Sequence, residues 1–126
     1  MKVLLYGYDL IIRKAKSALI SRGDEVVNVS RLDAVTNRQD LGDFSLTIVD
    51  MTAPHATEVC VYLKKSAEIP VVVILGFGEE GWRKLEEVGV DGYIHRSAGE
   101  NEMVARLGAI ERRVLKPVTG KLDGAR

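Results

Sequence analysis

The chain has a single cysteine, Cys60, and two histidines, His55 and His95, among its 126 residues. One thiol excludes an internal disulfide, and no two of these three residues share a ligand spacing such as i,i+4. Surface or core histidines and a small buried thiol are expected, with no built metal site. Neither sign of charge is in excess: 18 Lys+Arg stand against 18 Asp+Glu. That balance argues against a domain whose affinity for nucleic acid comes from neutralising phosphates, and it points to a neutral partner or to none. No apolar run approaches the roughly 18 residues of a membrane span. The chain opens on a strand-like segment in place of a charged leader and apolar stretch, so a soluble protein of a reducing, cytoplasmic compartment is expected. Ser66 and Ser97 stand without a visible base, and no nucleophile, base and anion-stabilising group converge, so no enzyme is expected.

What is present is a regular alternation. A chain of this length forms one domain that buries roughly two thirds of its unfolded surface unaided. Val3-Leu4-Leu5-Tyr6 reads as a strand. Ile11, Ile12, Ala15, Ala18 and Leu19 then recur at helical spacing and stop at Gly23. Glu25 to Val29 is a second strand, followed by a short polar helix that opens near Ser30 and Asp33 and runs through Val35 to about Asp40. Phe44 to Asp50 is a third strand. Pro54 suits the first turn of a third helix, whose apolar side is Ala56, Val59, Tyr62 and Leu63. Val71 to Leu75 is the most hydrophobic stretch and fits a strand buried on both faces. Glu79 to Val88 forms a fourth helix, Gly92 to His95 a fifth strand, and Met103, Leu107, Ile110 and Val114 the apolar line of a fifth helix. Five strand-helix units over short connections predict a single doubly wound α/β domain, (βα)5, with a parallel five-stranded sheet in the flavodoxin-like order 2-1-3-4-5. The domain spans 1–115, and 116–126, richer in Pro and Gly, reads as a linker or tail.

Asp50 is the candidate site. It ends an apolar strand, and in parallel sheets ligands and chemistry collect at the carboxyl ends of strands. The other strand ends offer Gly7 and Tyr8, then Leu75 and Gly76, then Arg96 and Ser97, so no second carboxylate clearly joins it. Asp9 is the nearest acid. It is placed to cap the first helix, and a small shift of its loop would aim it at the site instead.

Over residues 2 to 115 the chain resembles a response-regulator receiver domain of two-component signalling. The resemblance rests on Phe44 to Asp50 with Asp50-x-x-x-Pro54, on Glu68-Ile69-Pro70, on Gly89-Val90-Asp91-Gly92-Tyr93, and on their spacing. It implies that Asp50 takes the place of the phosphoacceptor, Arg96 that of the lysine contacting the phosphoryl group, and Tyr93 that of the aromatic switch. It also implies departures: Gly7 and Tyr8 stand where receivers carry the acidic pair that holds Mg²⁺, Leu75 where they carry Thr or Ser, and Ser97 where they carry a proline. Cis before a non-proline costs about 2.5–4 kcal/mol, so the peptide after Arg96 is expected to be trans.

Phosphoryl transfer to a carboxylate brings anions together and normally needs a divalent ion, and Mg²⁺ requires a near-octahedral set of oxygens that Asp50 alone does not supply. The expected protein is therefore a degenerate receiver, a pseudo-receiver that uses no cofactor. It would signal by binding a protein, or a second copy of itself, through its fourth helix, fifth strand and fifth helix. Arg96 would pair statically with Asp50; a solvent-facing Arg96 is the alternative. Two other functions stay open: a working phosphoacceptor whose metal is held by Asp50 and Asp9, and a small-ligand sensor with a cavity near Tyr8, Leu75 and Phe77. Tyr8 could fill that space, its hydroxyl reaching Asp50. Gly76 to Gly81 matches G-x-G-x-x-G, but two glutamates at the helix start would repel a pyrophosphate, so it reads as a loop beside the site. Trp82 reads as packed on the sheet.

Overall fold

The computed structural model describes residues 1–76 and 82–114, and for 82–84 the backbone alone. The Phe77 to Gly81 loop, the packing of Trp82 and the tail 116–126 lie outside the described residues.

Five parallel strands, β1 (Lys2–Tyr6), β2 (Glu25–Val29), β3 (Leu46–Asp50), β4 (Val71–Leu75) and β5 (Gly92–His95), form one sheet in the order β2-β1-β3-β4-β5. Helices α1 (Leu10–Arg22), α2 (Leu32–Thr36), α3 (Ala56–Tyr62), α4 (Trp82–Val88) and α5 (Glu100–Val114) connect and cover them. This is the doubly wound arrangement that the alternation of the sequence predicts.

Strand alternation sorts the core into two layers. Val3, Leu5, Ile48, Val72 and Ile74 point to α1 and α5, where they meet Ile12, Leu19, Met103 and Leu107. Leu4, Tyr6, Val49, Val71 and Val73 point to α2, α3 and α4, where they meet Val35, Val59, Cys60, Leu63 and Leu85. Val71 to Ile74 are fully buried, as a strand covered on both faces requires.

α1 begins at Asp9, whose carboxylate accepts from the Leu10 N–H at 2.7 Å, and ends at Gly23 in the left-handed conformation. Its last turn is fixed to α5. Arg22 donates to both carboxylate oxygens of Glu111, at 2.8 and 2.6 Å, and to Asp24 at 2.6 Å.

Two expectations fail locally. α2 ends at Thr36, and Leu41 to Asp43 form a separate 3₁₀ turn. The intervening residues carry no apolar side chain to hold a longer helix on the sheet, and Ser30 does not cap it, since the N-cap position is Arg31, whose side chain makes no capping bond. α3 starts at Ala56, so Pro54 precedes the helix. Thr52 bonds back to Asp50 and keeps the chain in a turn to His55, which adopts φ 62°.

Thr47, at the middle of β3, has the only buried side-chain oxygen without a hydrogen-bond partner among the described residues. Such a hydroxyl carries its desolvation cost uncompensated, so Thr47→Val is expected to raise unfolding stability by about 1 kcal/mol, measured by urea titration.

Candidate functional site

Asp50 is 1% exposed at the carboxyl end of β3. A buried carboxylate needs compensation, and this one has it from two directions. Thr52 donates from its N–H at 2.9 Å and its hydroxyl at 2.8 Å, both to Oδ1. Arg96 donates from Nη1 to Oδ1 at 2.7 Å and from Nη2 to Oδ2 at 3.3 Å. The second guanidinium nitrogen also reaches Asp9 Oδ2 at 2.7 Å. One cation thus lies between two carboxylates.

Three elements position the cluster. The Arg96 N–H donates to Leu75 O at 2.8 Å, extending the β4–β5 ladder past the last strand residue. The next turn is held by Ser97, whose N–H donates to His95 Nδ1 at 3.1 Å and whose hydroxyl lies 2.7 Å from the same atom. A base therefore stands beside Ser97, contrary to the sequence reading. Its nitrogen is taken by the backbone of the turn, so the pair acts as a clamp. The peptide after Arg96 is trans. On the other side, the β1–α1 loop is fixed by Asn28, whose side-chain amide donates to Leu5 O at 3.1 Å and Gly7 O at 2.9 Å.

Gly7 is required where it stands. Its φ is 138°, and a Cβ there would lie 2.8 Å from Ile12 Cγ1 and 3.0 Å from Asp50 Cβ. A side chain at this position would strain the backbone and force the Ile12 side chain or Asp50 to shift. Tyr8 does not fill the site: it is 66% exposed, and Oδ1 of Asp50 is taken by Thr52 and Arg96. Leu75 is half-buried and supplies only its carbonyl. Tyr93 lies outward on β5, 42% exposed. Asp9 both caps α1 and joins the cluster, the two roles that the sequence presented as alternatives.

The space beside Asp50 is about 100 Å³, lined by Tyr8, Asp9, Asp50, Thr52 and Ala53. Ligand pockets run to about 300–1,000 Å³, so this space is too small to hold one; the cavity expected near Tyr8, Leu75 and Phe77 takes in Phe77, which lies outside the described residues. Hexacoordinate Mg²⁺ does not fit the donor set either. Asp50 Oδ1 already accepts three hydrogen bonds, Asp9 Oδ2 is engaged, and the adjacent guanidinium repels a second cation. Among the described residues no group of three or more His, Cys, Asp or Glu is placed to hold a metal ion.

The charges reinforce one another. Hydrogen bonding to Asp50, foremost, and to Asp9 holds the Arg96 pKa above its ordinary value. The Asp9 carboxyl lies below the usual carboxylate range, first through the Leu10 N–H and then through Arg96. Arg96→Ala would leave Asp50 buried with only Thr52 as partner, and is expected to cost about 3 kcal/mol in urea unfolding, most of it recovered in Arg96→Ala/Asp50→Asn. Because the folded pKa of Asp9 is depressed, its contribution is fully present above the unfolded value near ~4 and is lost as pH falls through the folded one. Stability is therefore expected to drop on acidification below about pH 4, and Asp9→Asn to flatten that slope in acid titrations.

No family model matches the chain. It is 26% identical over 120 residues to the probable transcriptional regulator ycf27 of Cyanophora paradoxa, an alignment covering 92% of this chain and 50% of the relative. The chain thus spans about half the length of that relative. Among solved structures it is similar to a response regulator receiver domain protein from Clostridium thermocellum, with TM-score 0.69 and 22% identity over 90% of this chain and 97% of the other. It is also similar to the response regulator DrrB of Thermotoga maritima, an OmpR/PhoB homologue, with TM-score 0.73 and 21% identity over 89% of this chain and 52% of that one. The strand order, the helix placement and these likenesses together show that the chain has the fold of the response-regulator receiver domains.

Proposed function

We propose that the chain is a receiver-like module of two-component signalling that acts by protein–protein interaction, without Mg²⁺-dependent phosphorylation and without enzymatic activity of its own. The observation that carries this reading is the 2.7 Å contact of Arg96 Nη1 with Asp50 Oδ1, a carboxylate already bonded by Thr52 and shut from solvent. In-line attack on a phosphodonor needs a carboxylate oxygen with a free lone pair and a cation that can follow the transferred oxygens. Here Oδ1 is fully engaged, and Oδ2 is approached at 3.3 Å by the same guanidinium. Gly7 supports the reading, because the backbone at the site has no room for a side chain on that residue.

The interaction surface in this proposal is the face of α4, β5 and α5, on which Tyr93 is exposed, with a signalling protein or a second copy of the chain as partner. A cytoplasmic location belongs to the same reading. No helix among the described residues is long and apolar enough to cross a membrane.

One observation favours a second reading. Asp9 and Asp50 line the same small space, so a phosphoacceptor that recruits a cation after Arg96 swings away would use these two acids.

Treating the protein with acetyl phosphate and Mg²⁺, followed by intact-mass measurement, separates the two. No mass gain is expected, and beryllofluoride should give no saturable amide shift at Asp50 or Tyr93. An acyl-phosphate mapped to Asp50 would establish the second reading in place of the first.

A further inference from the structure

A second cavity among the described residues lies away from Asp50. It measures about 500 Å³ and sits between the β2–α2 and β3–α3 connections, on the α2 and α3 side of the carboxyl ends of β1 and β3. Those two strands are where the winding of this sheet reverses, since β1 leads outward to β2 and β3 leads the other way to β4 and β5. Crevices at such a reversal are the usual ligand sites of open α/β sheets. The space exists because α2 has only five residues and ends before it can cover this corner. Leu32, in the lining, is left only partly buried.

The cavity has a built floor and a shaped rim. Tyr6, fully buried at the end of β1, donates its hydroxyl to Pro54 O at 2.6 Å and so ties β1 to the β3–α3 loop. His55 on the rim holds a left-handed backbone at φ 62°, a strain uncommon outside glycine and found disproportionately at ligand clamps. Leu32 and Pro54 supply apolar wall. Arg31 and Asp33 also line it, and their Nη2 and Oδ2 pair at 2.8 Å, a donor and an acceptor side by side.

We propose that this cavity binds a small uncharged nitrogen heterocycle bearing N–H donors, of nucleobase or nucleoside size. The volume lies within the usual range for a small-molecule pocket. The lining carries one cationic and one anionic side chain, already paired, so no net charge awaits a counter-ion. Burial, foremost, and then the charges of Glu58 and Asp33 push the Tyr6 hydroxyl pKa up, so the floor carries a neutral hydroxyl. A lining without surplus positive charge has nothing to hold a phosphate or carboxylate. The adjacent guanidinium and carboxylate match the mixed donor and acceptor edge of a purine or lactam.

The state of Asp50 does not enter this inference, and either proposal can fail alone. The test is amide chemical-shift titration of the whole chain with four probes: adenosine, theophylline, caffeine and adenosine monophosphate. Saturable shifts at Tyr6, Leu32 and His55 are expected for adenosine and theophylline. Caffeine, whose ring N–H is methylated, and the charged monophosphate are each expected to bind about tenfold more weakly. Ser30→Trp places a ring over the mouth from an exposed position that does not burden folding, and should abolish the shifts. The inference is overturned if neither adenosine nor theophylline saturates at millimolar concentration. It is equally overturned if the monophosphate or caffeine binds as tightly as its partner, or if the shifts survive Ser30→Trp.

Discussion

The geometry at the carboxyl edge of the sheet depends on one guanidinium. Arg96 leaves β5, spans the site and meets Asp50 on β3 and Asp9 at the head of α1, so three parts of the chain distant in sequence are tied through a single charged group. The contact with Asp50 is the stronger link, since that acid is buried and the dielectric around it is low. The contact with Asp9 is solvent-screened and serves more to orient than to stabilise. The carboxylate is withdrawn from water and receives four directed hydrogen bonds, two from Thr52 and two from Arg96, which compensate its burial.

Much of the fold was legible in the sequence because burial and period coincide. Val71 to Leu75 can hardly be anything other than an inner strand, and Ile11, Ile12, Ala15, Ala18 and Leu19 draw a single helical stripe. Where the pattern weakens, the reading drifts. The polar stretch from Asn37 to Asp40 has no side chain to choose between helix and turn, and the expected second helix ran several residues too far. The start of α3 was misplaced because Pro54 is as compatible with a turn as with a first helical residue, and the deciding bonds come from Thr52 to Asp50.

Within the site, the encounter of Asp50 with Arg96 was foreseeable, since both follow neighbouring parts of the sheet edge. The double engagement of Asp9 was not, because capping the first helix and turning toward the Asp50 site were read as alternatives. Asp9 uses Oδ1 for Leu10 and Oδ2 for Arg96. The outward course of Tyr8 and the close approach of Ile12 to Gly7 depend on backbone angles that residue identity alone does not fix. The clamp of Ser97 on His95 is a contact between residues two apart on a turn, with no periodic signature. The cavity over Tyr6 left no motif either, because it results from a helix being short.

α1 is attached at both ends. Near its start Asp9 meets Arg96, and Lys14 donates to Ala98 O at 3.1 Å, so the β5–α5 loop grips it. At its far end Arg22 holds Glu111 in a two-pronged pair. Anchored at both ends, α1 lies in register against α5 and the loop that leads into it, so the outer surface of α5 and the Asp9 end of α1 belong to one continuous packed unit.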